Sequence, residues 1–166
     1  DEHLICVVTG EVTELLLVSH GEVVGRGTVP VGLHTLMRTL ESHAGALRSE
    51  VHSLLQLFAH TKDVSSHALH EPLTAAARHL AHTYQKGIES LVEHHTPTGM
   101  LVVAPGAAAA WFTHVFTDHV PLGDYRIRAA SVQALHPHHL KAHVGGHGAH
   151  LDLALMAEAI FSHSHE

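Results

Sequence analysis

At 166 residues the chain is long enough for one domain with a real core and cramped for two. Its residues are 45% hydrophobic, 15% charged and only 4% aromatic, which describes a packed globular protein whose core rests on Leu, Val and Ala. A formal charge of −7 with 9 Lys and Arg excludes a binder of nucleic-acid backbones, which needs clustered cations.

Residues 4–9, 13–19 and 23–29 read as three strands. Gly10-Glu11 joins the first pair and His20-Gly21, a short turn of hairpin type, joins the second. Pro30-Val31-Gly32 breaks the pattern, after which Leu33, Leu36, Met37 and Leu40 recur at helical spacing up to His43. A second helix spans residues 47–60 with Leu47, Val51, Leu54, Leu55 and Phe58 on its inner face. A loop covers residues 61–66, with Ser65 and Ser66 as N-cap residues of the longest helix, 67–94. Leu69, Leu73, Ala76, Ala77, Leu80, Tyr84, Ile88 and Leu91 form its apolar stripe, and Gly87 lowers its propensity.

Residues 100–104 are a continuous apolar run, as in a strand buried on both faces. Pro105-Gly106 turns into a helix over 107–120 with Trp111, Phe112, Val115 and Phe116 inward. A last strand over 125–135, turns at residues 136–139 and 147–150, and a closing helix over 151–161 complete the order βββ-α-α-α-β-α-β-α. The expected fold class is α/β with a mixed five-stranded sheet.

No stretch approaches the roughly 20 apolar residues that span a bilayer, and the opening Asp1-Glu2-His3 has no signal-peptide pattern, which makes a soluble cytoplasmic domain the expectation. Cys6, the single cysteine, lies in an apolar strand and reads as a buried, inert thiol. No Gly-x-Ser-x-Gly elbow occurs, and Asp118 and Asp124 beside His114 and His119 read as a solvated helix end. Among 22 histidines, pairs with metal-ligand spacing arise by chance, including His67 with His70 and His79 with His82. His138, His139, His143 and His147 form the best cluster, a candidate for a specific metal site or for adventitious zinc or nickel.

The run from Ile5 to Gly32, with its Gly10-x-x-Thr13 turn, its His20-Gly21 turn and the Pro30-x-Gly32 entry to a helix, resembles the opening hairpins of the second lobe of actin-like ATPases. The resemblance is closest to the pilus-assembly and cell-division branch. It implies a ribonuclease-H-like lobe, with residues 1–166 as one half of a longer two-lobe protein. In that family a strand ends in Asp-x-Gly-x-x-Thr, whose carboxylate works with metal-bound water and whose amides and hydroxyl hold phosphates. Gly10 and Thr13 match, but Val8 stands at the Asp position and Glu11 would repel a phosphate. The family's Gly-Gly nucleotide turn falls at 104–108, where only Gly106 remains and Pro105 stiffens the backbone.

Gly10, Thr13 and Gly106 are therefore the expected vestigial nucleotide site, and ATP with Mg is the cofactor that the resemblance implies for a full-length protein. Members of this branch sit on the cytoplasmic face of the inner membrane and bind a short segment of a membrane partner. A protein partner of that kind, a cytoplasmic segment of an inner-membrane pilus protein, is implied here. Three readings stand open at this point: a degenerate scaffold, the nucleotide-binding half of an ATPase, and a histidine-rich metal-binding or pH-responsive domain.

Overall fold

The computed structural model describes residues 2–44, 47–60, 67–122, 127 and 132–134. Three strands open the chain, β1 (Glu2–Val8), β2 (Thr13–Ser19) and β3 (Glu22–Val29). Helices α1 (Leu33–Ala44), α2 (Arg48–His60) and α3 (His67–Val92) follow, then β4 (Gly99–Val103), α4 (Ala108–Asp118) and β5 (Val132–Ala134). The five strands form one mixed sheet in the order β3-β2-β1-β4-β5. The first three are antiparallel neighbours, and β4 runs parallel to both β1 and β5. His20 and Gly21 both adopt positive φ, 52° and 84°, which suits the tight right-twisted β2–β3 hairpin. The expected mixed α/β sheet is the observed one. The rest of the last expected strand is outside the described residues apart from Ile127, and the closing helix over 151–161 lies wholly outside them.

Strand alternation assigns the apolar runs to two faces. Leu4, Cys6 and Val8 of β1 join Leu15, Val29, Met100 and Val102 in the larger core, to which α1, α2, α3 and α4 all contribute. Ile5 and Val7 join Leu16, Val18 and Val103 on the opposite face. Burial on both faces is why β1 and β4 read as unbroken apolar runs rather than as alternating ones.

Helix α3 lies on this sheet through Leu73, Ala76, Ala77, Leu80, Tyr84 and Ile88, each 3% exposed or less. Gly87 faces the sheet as well: a Cβ there would stand 2.4 Å from Val29 Cγ2, so the glycine sets how closely the helix approaches β3. Trp111, Phe112, Val115 and Phe116 of α4 are fully buried, with Tyr84 edge-on to Phe116 at 4.9 Å. The indole of Trp111 donates to the Leu73 carbonyl at 3.3 Å, so the one polar atom of that ring is satisfied.

Helix α2 corrects one assignment. Leu47, expected on the inner face, is 68% exposed, whereas Val51 and Leu55 are buried. Leu47 precedes the first turn, and its N–H donates to the Glu50 carboxylate at 2.7 Å, the reach-back half of a capping box.

Candidate functional site

The parallel pairing of β1 with β4 positions the site. Val7 stands opposite Val103, so the chain leaves both strands at the same sheet edge, with the turn at residues 9–12 beside the turn at 104–107. Carboxyl ends of neighbouring parallel strands are where open α/β sheets receive ligands.

The first turn is closed by its own atoms. The Thr9 N–H donates to the Val12 carbonyl at 2.9 Å, the Thr9 hydroxyl donates to the same oxygen at 2.8 Å, and the Val12 N–H returns to Thr9 Oγ1 at 3.3 Å. Helix α1 then docks directly on it. The Leu33 N–H donates to the Thr9 carbonyl at 2.9 Å and the His34 N–H to the Gly10 carbonyl at 2.8 Å, which satisfies two of the helix's orphan amides. Gly32 permits the approach, since a Cβ there would lie 2.6 Å from both Glu11 C and Val12 N. Over the turn, the His34 Nδ1 bonds Glu11 Oε1 at 2.9 Å and the Arg38 guanidinium lies 3.6 Å from Glu11 Oε2. The hydrogen bond from His34, aided by the Arg38 charge, holds the Glu11 carboxyl below the usual carboxylate range.

Thr13 does not face the turn. It is fully buried, its hydroxyl donates to the Val31 carbonyl at 2.6 Å, and the Tyr84 hydroxyl lies 2.9 Å from Thr13 Oγ1. Tyr84 also reaches the Val31 carbonyl at 3.3 Å, so three elements meet on one buried oxygen. Burial pushes the Tyr84 phenol well above its ordinary range and keeps it neutral. Val8, at the expected carboxylate position, is 4% exposed and packed in the larger core. In the second turn Gly106 takes φ +51° with nothing within 4 Å of a Cβ position, so backbone angle rather than crowding calls for glycine. The first amides of α4 turn inward, Ala108 to the Pro105 carbonyl at 3.1 Å and Ala109 to the Gly106 carbonyl at 3.3 Å.

Solved structures share this fold. The ethanolamine utilization protein EutJ from Carboxydothermus hydrogenoformans matches 80% of the chain with a TM-score of 0.55 at 13% identity. The PilM-PilN type IV pilus biogenesis complex matches 82% with a TM-score of 0.58 at 8% identity. The fold is actin-like. The chain spans 44% of the first matched chain and 36% of the second, less than half of each. No protein-family model and no curated sequence matches it.

Within the actin-like fold, the two expected nucleotide turns are thus adjacent, with Gly10 and Gly106 at one edge and the Thr13 hydroxyl turned into the core. His138, His139, His143 and His147 lie outside the described residues. His79 and His82 are exposed on α3, and among the described residues no group of three or more His, Cys, Asp or Glu is placed to hold a metal ion. Cys6 is buried, which drives its thiol far above the ordinary range. One cluster escaped the sequence reading. Glu11, His34 and Arg38 come together across 27 positions, although the i, i+4 spacing of His34 and Arg38 marks a shared helix face. The group read as a solvated helix end is partly enclosed instead: His114 bonds Asp118 at 2.6 Å, a pair at i, i+4 spacing, and the burial of His119 Nε2 had no sequence signal.

Proposed function

We propose that this chain is one lobe of a longer actin-like protein and serves as a degenerate, partner-binding scaffold in a pilus-assembly or competence-type apparatus, without ATP hydrolysis. The β1–β2 turn carries the reading. A phosphate-binding hairpin offers amides, a hydroxyl and a metal-linked carboxylate to the ligand. Here the Thr9 and Val12 amides are spent inside the turn, the Thr13 hydroxyl is spent on Val31, Val8 supplies no carboxylate, and Glu11 places its charge over the turn. Likeness to a PilM–PilN complex supports a protein partner. By the resemblance to that branch, the partner is a cytoplasmic segment of an inner-membrane pilus protein, met on the cytoplasmic side of that membrane.

A second reading rests on Gly106. Its left-handed backbone beside the Gly10 turn keeps part of a nucleotide cradle, which a first lobe elsewhere in the protein would complete for ATP with Mg. Titration calorimetry with Mg-ATP on the full-length protein separates the two. The scaffold reading expects no heat of binding up to millimolar nucleotide. A micromolar dissociation constant, about −8 kcal/mol, would sink it.

A further inference from the structure

Helix α4 ends on a buried nitrogen without a partner. His119 is the C-cap residue of α4, and its Nε2 is shut off from solvent with no hydrogen-bond partner among the described residues. One neutral tautomer leaves that atom a bare acceptor and the other an idle donor, an arrangement that native structures rarely keep without a use. His114, one turn earlier, sets its ring edge-on to His119 with centroids 5.2 Å apart. Its Nδ1 bonds Asp118 Oδ2 at 2.6 Å, and its ring packs at 5.3 Å on Phe58 of α2. Among the described residues, the charged groups acting on His119 are His114 and Asp118 on α4 and Arg78 on α3. Helix α2, which also packs on α4, carries Arg48, Glu50, His52 and His60, while strands β4 and β5 carry no ionisable side chain.

Protonation has opposite consequences at the two rings. The His114 Nδ1–H already donates to the Asp118 carboxylate, so a charge on that ring would lie directly against its counter-ion. His119 would gain one beside the His114 and Arg78 charges, with an enclosed N–H that finds no acceptor. Burial, then the His114 charge, hold its proton affinity below the ordinary histidine range, with Asp118 pulling the other way. A depressed histidine stabilises the fold fully above its unfolded pKa, and that contribution is lost as pH falls through the folded value.

We propose that His114 and His119 form a proton-operated latch on the end of α4. With both rings neutral, His119 stays seated and the following chain is held. The His119 and Val120 amides then both donate to the Val115 carbonyl, at 3.0 and 3.1 Å, and Leu122 donates to Val120 at 2.7 Å. Val120 and Leu122 are 4% and 3% exposed. When acid charges both rings, His119 leaves its seat toward water, and residues 119–122 are released while the sheet and α3 remain folded. The latch does not depend on the scaffold reading or on any nucleotide.

Histidine-ring NMR titration and amide hydrogen exchange at pH 7 and pH 5, corrected for intrinsic rates, test it on the whole chain. His119 is expected to protonate below the ordinary histidine range. Exchange at the amides of His119, Val120 and Leu122 should rise about tenfold relative to Tyr84 and Ile88 in α3, the scale set by one buried donor left unpaired. His119→Gln, which cannot titrate, should abolish that relative rise. Titration of His119 at or above the ordinary range overturns the latch, as does an unchanged relative exchange in the wild type or an equal rise in His119→Gln. If His119→Gln does not fold, the wild-type titration and exchange decide.

Discussion

Replacing Gly87 by Ala sets two effects of similar size against each other. In a freely exposed helix interior the exchange gains about 1 kcal/mol of helix propensity. At position 87 the new methyl would stand 2.4 Å from Val29 Cγ2 and 3.5 Å from Leu15 Cδ1, where ordinary carbon contacts lie at roughly 3.5–4.0 Å. Val29 has little room to yield: it is 1% exposed, stiff at χ1, and paired with Thr13 at the end of β3. Helix α3 must therefore lift off the strand, an overpacking cost of about 1–3 kcal/mol. The clash wins, and the net effect is a destabilisation of about 1 kcal/mol, or about 2–4 °C in Tm for a chain of this size. Urea unfolding followed by circular dichroism measures it. Adding Val29→Ala removes the opposing methyl, so the double variant should lose less than the sum of the two single ones. A Gly87→Ala midpoint above that of the wild type would refute the packing argument, because only the propensity gain would then remain.

Leu80→Asp should unfold the chain or leave it insoluble, since Leu80 is 3% exposed in the larger core and an unpaired charge there costs several kcal/mol; an unchanged melting curve would place the residue outside the core. Tyr84→Phe removes the hydroxyl that meets Thr13 and Val31 but leaves the Thr13 bond in place, so a loss of about 1 kcal/mol in urea midpoint is expected, and no change would show that the hydroxyl contributes nothing there. Solubility should pass through a minimum between about pH 6 and 7, because a formal charge of −7 is cancelled when 7 of 22 histidines protonate. The sequence pI of 6.3 agrees in direction, and a mobility still clearly negative at pH 5.5 would contradict solvated histidines.

Periodicity made most of the fold legible. Apolar runs bounded by turn residues and period-3.6 patterns located five strands and four helices, because each side chain in those elements answers to a nearby surface. Leu47 was misplaced for a local reason: it continues the helical spacing but sits one residue ahead of the helix, where the Glu50 carboxylate takes its amide. Gly87 was legible only as a weak helix former. Its actual role depends on Val29, 58 positions away across the α3–β3 contact, and no local pattern encodes how closely a helix lies on a strand.

The candidate site was legible in outline and not in its state. Gly10, Thr13 and Gly106 could be matched to a motif one residue at a time, and the parallel pairing of β1 with β4 does bring the two turns to one edge. Whether a threonine hydroxyl at the start of β2 faces a ligand or the core is decided by what stands behind it, and here that is Tyr84 on α3, 71 positions later. The same holds for Glu11. Read alone it was a repelling charge in a phosphate turn, but His34 and Arg38 on α1 give it partners, so its charge is retained rather than tolerated. A motif survives in sequence as long as its spacing survives, whereas the chemistry survives only while its polar groups stay uncommitted. In this chain the committed groups are the Thr9 and Val12 amides, bound within the turn itself, and the Thr13 hydroxyl and Glu11 carboxylate, bound by residues from elsewhere in the chain.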